Sequence, residues 1–140
     1  MEESDFTAEF EFKASSRMLF PYLNTPGGLS QWFADDVIVT QDKHLIFFWD
    51  EEKHEARIAS QKQNKFIRFE FVEEESNGKS TETTTGNAHP YFIEINLDPN
   101  ELTGTVFMCI VDTVTPSDDT EELYEIWGHL TDSLKEIVGG

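Results

Sequence analysis

The sequence predicts an α+β fold in which a curved antiparallel sheet surrounds a long C-terminal helix, with two short helices after the first strand. Residues 6–12 alternate between apolar and polar side chains, which is the period of a strand with one solvent-exposed face. Residues 14–37 then predict the short helices, and the chain closes with an amphipathic helix. A sheet and a helix arranged in this way leave space between them, and such a space can hold a small apolar ligand.

Two prolines determine the predicted length of the first short helix and the predicted start of the second. Pro21 lacks an amide hydrogen and should keep the first helix short or distorted. Thr25 followed by Pro26 can cap and start the second helix, because proline suits the first helical position. The second helix ends in Trp32 and Phe33, so two large rings lie at the end of the helix pair.

The middle of the chain reads as strands joined by polar turns, which predicts an antiparallel meander. Between Glu73 and Pro90 the apolar pattern is lost, and we expect a mobile loop there that either covers the interior or lies idle on the surface. A turn is predicted at Asp98–Glu101, and the strand after it should be central because it is nearly continuous in apolar residues. The predicted strands are Val37–Thr40, His44–Trp49, His54–Gln61, Lys65–Glu73, Tyr91–Leu97 and Leu102–Val111.

The final helix begins after the acidic segment Pro116–Glu122, which offers capping residues and negative charge at the positive end of the helix dipole. At about 100° per residue the apolar side chains of this helix fall in one stripe. Asp132 lies nearly opposite the stripe, so that face is expected in solvent. The stripe consists of Leu123, Ile126, Trp127, Leu130, Leu134, Ile137 and Val138.

Length and composition predict one domain over residues 1–140. The 28 acidic residues outnumber the 10 basic ones and give a formal charge of −18. A surface this negative repels phosphate backbones and anionic lipid headgroups, so neither nucleic acid nor a membrane is an expected partner.

The N-terminus does not resemble a signal sequence, no apolar run approaches a membrane span, and Cys109 is the only cysteine. We therefore expect a cytoplasmic protein with a buried free thiol.

The segment from Phe10 to Phe33 carries a family resemblance. Its strand, small residues Ala14–Ser15, apolar helices and Trp-aromatic ending resemble the START-like (SRPBCC, helix-grip) superfamily, and within it the branch of the heat-shock chaperone ATPase activator homologues. The resemblance extends over nearly the whole chain, but Gln41–His44 stands where that branch commonly has a Gly-rich hairpin. Members bind lipids, hormones and polyketides, and some catalyse cyclisation or hydration, so the resemblance implies a cavity and not one activity.

The candidate ligand-binding residues are those whose strand or helix phase directs them inward. Trp32 and Phe33 are candidates for gating the mouth of a cavity, although plain packing against the sheet is the alternative. The same alternative holds for the other rings, which would fill a solid core instead of lining a pocket. The predicted ligand-binding set is Trp32, Phe33, Phe48 (or its neighbour Phe47), His54, Ile58, Phe69, Phe71, Ile93, Ile95, Met108, Trp127 and Leu130.

Two polar residues share the inward phase. His54 has the strand parity of Ala56 and Ile58, which makes it a candidate acid, base or ligand hydrogen-bonding group, or else a solvated histidine at a strand end. Asp112 has the parity of Met108, so it serves proton transfer in an apolar pocket or simply ends its strand. No metal-ligand spacing, phosphate loop or serine-hydrolase elbow is present, and no metal, cofactor or catalytic residue is assigned.

These observations favour a non-enzymatic, ligand-binding domain that holds a small hydrophobic molecule between its sheet and its C-terminal helix. One alternative is a protein-interaction or chaperone-regulating module that uses the acidic face. Another is a lyase or cyclase that uses His54 or Asp112. A homodimer formed through the C-terminal helix or an edge strand is also compatible with the sequence.

Overall fold

The computed structural model describes residues 6–71, 91–114 and 119–139. The loop predicted at Glu73–Pro90 and residues 116–118 of the predicted helix start lie outside the described residues. The helices and strands are β1 Phe6–Phe12, α1 Ser16–Leu19, α2 Pro21–Asn24, α3 Pro26–Trp32, β2 Asp36–Val39, β3 Leu45–Trp49, β4 Glu52–Lys62, β5 Phe66–Phe71, β6 Tyr91–Asn100, β7 Thr105–Asp112 and α4 Thr120–Val138.

The strands form one seven-stranded antiparallel sheet in the order β1-β7-β6-β5-β4-β3-β2. The first strand therefore pairs with the last, while β2 to β7 follow one another as a meander. With the long helix α4 and the short helices after β1, this arrangement confirms the predicted α+β class. Strand β7 has neighbours on both sides, as its apolar sequence predicts, and β1 and β2 form the edges.

The first predicted short helix is two helices, α1 and α2, which meet at Pro21. The Ser15 side chain caps α1 by accepting a hydrogen bond from the amide of Met18. The Thr25 hydroxyl accepts one from the amide of Gly28 at 2.9 Å and caps α3. A Cβ atom at Gly28 would lie 2.2 Å from the carbonyl oxygen of Pro21, so α2 and α3 can approach this closely only with glycine there.

The predicted turn at Asp98–Glu101 is wrong, because β6 continues through Pro99 to Asn100. The amide of Leu97 points toward β5 and donates to the carbonyl of Lys65. Two residues later the nitrogen of Pro99 points the same way, beyond the last residue of β6 that has a partner in β5. The missing proline donor therefore breaks no bond of the ladder.

Helix α4 packs one face on the sheet by burying Leu123, Trp127, Thr131 and Leu134. The Asp119 carboxylate caps its first turn, and Gly139, at a φ of +89°, ends it in the left-handed conformation. The face of the sheet that α3 and α4 cover is called the inner face below. No helix among the described residues is long and apolar enough to cross a membrane.

The expected burial of the Cys109 thiol is wrong, because Cys109 is only half-buried and lies on the outer face of β7. Side chains alternate along β7, and Met108 and Ile110 on either side of Cys109 take the inner positions. The partial burial raises the pKa of the thiol, and the negative charges of Glu9 and Glu94 raise it further. An apolar run on a central strand thus hides which of its residues face outward.

Candidate functional site

The inner face carries a group of six aromatic rings that we call the inner aromatic cluster. Phe33 lies at its centre, with its ring centroid 5.1 Å from that of Phe47, 5.3 Å from Trp49, 6.1 Å from Phe69 and 5.8 Å from Trp127. The contacts with Phe47 and Trp49 are edge-to-face, that with Trp127 is tilted and that with Phe69 is stacked, and such arrangements are favourable at these distances. The cluster consists of Phe33, Phe47, Trp49, Phe69, Phe71 and Trp127.

Phe33 is placed by the end of α3, where it is the C-cap residue. Its carbonyl oxygen accepts a hydrogen bond of 2.6 Å from the Trp49 indole, so backbone and ring both join α3 to β3. The Trp32 ring contacts that of Phe33 at a centroid distance of 5.5 Å, and its indole N–H donates to the carbonyl of Tyr22 at 2.8 Å. Both Trp32 and Phe33 are buried. They form part of the packed interior, and Phe33 is the centre of the cluster.

A buried hydrogen bond joins α4 to β7 beneath the cluster. Asp112 is 3% exposed, and its Oδ2 accepts from the indole N–H of Trp127, which is 2% exposed, at 2.8 Å. Its Oδ1 accepts from the amide of Val114 at 2.7 Å. The parity of Asp112 with Met108 is confirmed, since both face inward. This geometry makes Asp112 the group that orients Trp127, a role that the sequence did not indicate.

One end of the cluster is open. Trp49 and Phe71 are only partly buried, and the Trp49 ring stacks on that of Phe47 at 5.4 Å. The ring centroid of His54 lies 5.4 Å from that of Trp49, and the His54 side chain is 39% exposed. The Nε2 atom of His54 is 3.5 Å from a carboxylate oxygen of Glu52. We call Trp49, His54 and Phe71 the open end; it combines two apolar faces with one titratable polar group.

The structure separates the predicted residues by burial. The predicted inward position of Phe48 is wrong, and its alternative Phe47 takes that position. Phe47 is fully buried, whereas Phe48 lies on the outer face of β3 and is half-buried. Strand alternation is the reason, since Leu45, Phe47 and Trp49 share one face. Trp49 was absent from the predicted set although the same parity places it there. Fully or nearly fully buried are Phe69, Ile93, Ile95, Met108 and Trp127, and partly buried are Ile58, Phe71 and Leu130.

The rings that the sequence offered as the lining of a cavity contact one another. Phe47 lies 5.6 Å from Phe69 and 5.8 Å from Phe71, in addition to its contact with Phe33. Such packing is what a solid core requires. A ligand therefore reaches the deeper rings only if Trp49 or Phe71 moves aside.

A second concave surface lies on the opposite edge of the sheet. It is a surface groove of about 520 Å³ between β1 and the first turns of α4, lined by Phe6, Thr120, Glu121, Tyr124 and Glu125. The ring of Tyr124 stacks on that of Phe10 at 5.2 Å with an interplanar angle of 24°. The groove thus has aromatic and carboxylate walls. Within residues 6–71, 91–114 and 119–139, no three His, Cys, Asp or Glu side chains are placed to hold a metal ion.

Comparison with known proteins identifies the architecture. The family model of the START-like superfamily domain matches residues 1–140. The solution structure of an Aha1 dimer from Colwellia psychrerythraea is similar with a TM-score of 0.69 at 17% identity over 96% of both chains. A Bacteroides fragilis protein solved by NMR has a TM-score of 0.59 at 26% identity over 99% of this chain and 93% of its own. XoxI from Bacillus cereus has a TM-score of 0.69 at 13% identity over 96% of this chain and 95% of its own. No curated protein sequence matches the chain.

Proposed function

Because the chain belongs to the START-like superfamily, we propose that it binds a small hydrophobic molecule at the open end of the inner aromatic cluster. The fold often binds hydrophobic ligands between its sheet and its long helix. The observation that carries the proposal is the gradient of burial along the cluster. It runs from fully buried rings at Phe33 and Trp127 to partly exposed rings at Trp49 and Phe71.

The partly exposed rings offer the free energy for binding. Each 100 Å² of apolar surface that a ligand removes from water contributes about 2.5 kcal/mol before the losses of entropy on binding. Trp49 is well suited to this contact because its hydrogen bond to the carbonyl of Phe33 holds the indole in one orientation. A flat apolar molecule that covers Trp49 and Phe71 gains ring stacking as well as burial.

His54 supplies a polar contact at the same place. Its ring contacts Trp49 and is solvated on one side, so a ligand that covers Trp49 comes within reach of an imidazole nitrogen. Pockets of this kind combine a mostly apolar wall with a few polar groups that orient the ligand. The proposed ligand is accordingly a flat apolar molecule with one hydrogen-bonding group at its edge.

The experiment is native mass spectrometry of the purified protein, with mass analysis of anything released on denaturation, followed by a thermal-shift screen of small aromatic compounds. A bound compound or a reproducible rise in Tm is expected. Trp49→Leu should abolish the shift. Tyr124→Leu is the matched control, because Tyr124 is also a partly exposed aromatic residue but lies in the groove beside β1. No released compound and no Tm shift, or equal binding by Trp49→Leu and the natural chain, would contradict the proposal.

The proposal includes a cytoplasmic location and one domain over residues 1–140. The single cysteine supports the location, since a protein with one cysteine has no internal disulfide to form. The family match over the same residues supports the domain boundaries. Expression as a fusion to a fluorescent protein, with limited proteolysis of the purified chain, tests both statements.

A further inference from the structure

The edge of β1 and the groove beside it form a second surface with a different chemistry. We propose that this surface binds an extended basic segment of a partner protein, which adds to the sheet as a strand next to β1 and places an arginine side chain in the groove. This inference is independent of the small-molecule site, because the two lie at opposite edges of the sheet.

The backbone of β1 is the first element of the surface. Among the described residues, β1 pairs with β7 alone, and its register runs without a bulge from Phe6 to Phe12. Every second residue of such an edge strand directs its N–H and C=O away from the sheet. Peptides bind to edges of this kind by completing the ladder. The other edge, β2, has only four residues and offers a shorter template.

The outward side chains of β1 favour a positively charged strand. Thr7, Glu9 and Glu11 occupy the exposed positions of the outer face, so two of three are carboxylates. A residue of an added strand lies about 5 Å from the residue opposite it, which suits a lysine facing a glutamate. Glu11 also accepts a hydrogen bond of 2.7 Å from the Thr105 hydroxyl of β7, so Glu9 is the carboxylate of β1 that is better placed to face an added strand.

The groove receives the side chains that the added strand directs to the inner face. Glu121 and Glu125 are four residues apart on α4 and therefore lie on one side of the helix, next to the Tyr124 ring. A guanidinium group stacks on an aromatic ring and pairs with carboxylates at the same time. Phe6 closes the groove against the stem of such a side chain. Arginine is thus the residue that uses every wall of the groove.

The charges on the same edge favour a basic segment over a second copy of this chain as the occupant. Pairing of two β1 strands would bring Glu9 and Glu11 of both copies together, and each chain carries a formal charge of −18. The charges near β1 also indicate which part of the strand the arginine would lie beside. Lys135 lies 5.4 Å over the ring of Phe12, so the far end of β1 already has a cation. The basic residues of the partner are therefore expected beside Phe6 to Phe10.

The test measures binding of a fluorescent peptide, Val-Thr-Lys-Arg-Lys-Thr-Val, to the full chain by anisotropy at two salt concentrations. We expect saturable binding that weakens as salt is raised. The double variant Glu121→Gln, Glu125→Gln should raise the Kd at least tenfold. Asp42→Asn is the matched control, since it also removes an exposed carboxylate but lies in the turn before β3, near the opposite edge. Circular dichroism checks that each variant is folded.

The added strand is tested separately by methylating alternate backbone nitrogens of the peptide. In one of the two alternating patterns the lost N–H groups face β1, and that peptide should bind at least tenfold more weakly than the other. Equal effects of both patterns, or no binding, would overturn the proposal. The proposal would also be overturned if Asp42→Asn weakens binding as much, for each charge removed, as the double variant Glu121→Gln, Glu125→Gln does. The attraction would then be a property of the whole surface.

Discussion

Replacing Phe33 by leucine tests whether contact between rings stabilises the inner aromatic cluster beyond the burial of each ring. Phe33 is 1% exposed and contacts five other rings with centroid distances of at most 6.1 Å. The smaller side chain leaves a partial cavity, which costs about 1–2 kcal/mol of the free energy of unfolding. Each aromatic pair contributes about 0.5–1.5 kcal/mol beyond burial, and the pairs are not additive. The total loss should be about 3–4 kcal/mol.

Phe12→Leu is the control, because the same atoms are removed from a side chain that is equally buried. Among the described residues the Phe12 ring has no aromatic partner and contacts the ammonium group of Lys135 at 5.4 Å. It should lose the cavity contribution and a weak cation–π contact of about 0.5 kcal/mol, together about 1.5–2.5 kcal/mol. The difference between the two variants isolates the ring contacts.

Urea denaturation followed by circular dichroism gives both free energies of unfolding. For a chain of this length each kcal/mol shifts Tm by roughly 3–4 °C, so Phe33→Leu should melt roughly 9–16 °C below the natural chain and Phe12→Leu roughly 5–10 °C below it. Equal losses for the two variants would refute the argument and would mean that the cluster is held by burial alone.

Three further predictions concern a turn, the thiol and the buried indole. Lys43 has a φ of +69° in the turn before β3, so Lys43→Gly should stabilise the chain by about 0.5 kcal/mol after the entropy cost of glycine. Asp42→Gly should destabilise the chain. A lower urea concentration at the unfolding midpoint for both variants would contradict this prediction. Burial and neighbouring carboxylates raise the pKa of Cys109, so its alkylation by iodoacetamide should reach half its maximal rate at a higher pH than that of a free cysteine peptide, and a lower pH would be the opposite of what the structure requires. Trp127→Phe removes the hydrogen bond of 2.8 Å to Asp112 and should cost about 1.5–3 kcal/mol in urea denaturation, and a cost under about 0.5 kcal/mol would show that this bond is not stabilising.

The sequence predicts strand phase well where one face of the strand is polar. In β1 the alternation of Phe and Glu assigns every residue to its observed face. In β3 the run Leu45–Trp49 is apolar at every position, so a period of two cannot be read from it and the sequence does not distinguish Phe47 from Phe48 as the inward residue. The same limit hid the outward position of Cys109 in the apolar strand β7.

Proline positions were informative for one element and misleading for another. Pro21 divides the first helix into α1 and α2, because the lost amide hydrogen bond is needed wherever a helix continues. Pro99 suggested a turn, yet it lies within β6 at a point where the nitrogen faces no strand. The difference depends on the length of the neighbouring strand β5, which the residues around Pro99 do not encode.

The hairpin before β3 shows what a resemblance can and cannot carry. The branch that the sequence resembles implies a Gly-rich hairpin there, and this chain has Gln41–His44. The structure retains a left-handed residue, Lys43, at a φ of +69°. The turn geometry that glycine would favour is therefore kept by a lysine, with the strain supported by the hydrogen bonds of the paired strands.

The packed state of the cluster determines how the proposed ligand site would work. A ligand that passes the open end must separate Trp49 or Phe71 from Phe47, which costs about 0.5–1.5 kcal/mol for each ring pair. For a ligand that enters this far, the measured affinity is the intrinsic affinity multiplied by the fraction of molecules in which the rings are apart. Phe33→Leu weakens the contacts that hold these rings together, so it should lower stability while leaving affinity unchanged or increased. Trp49→Leu should lower affinity with a smaller loss of stability, because Trp49 is only partly buried. If both variants instead lose affinity in proportion to stability, the cluster acts only as a core and the ligand binds elsewhere.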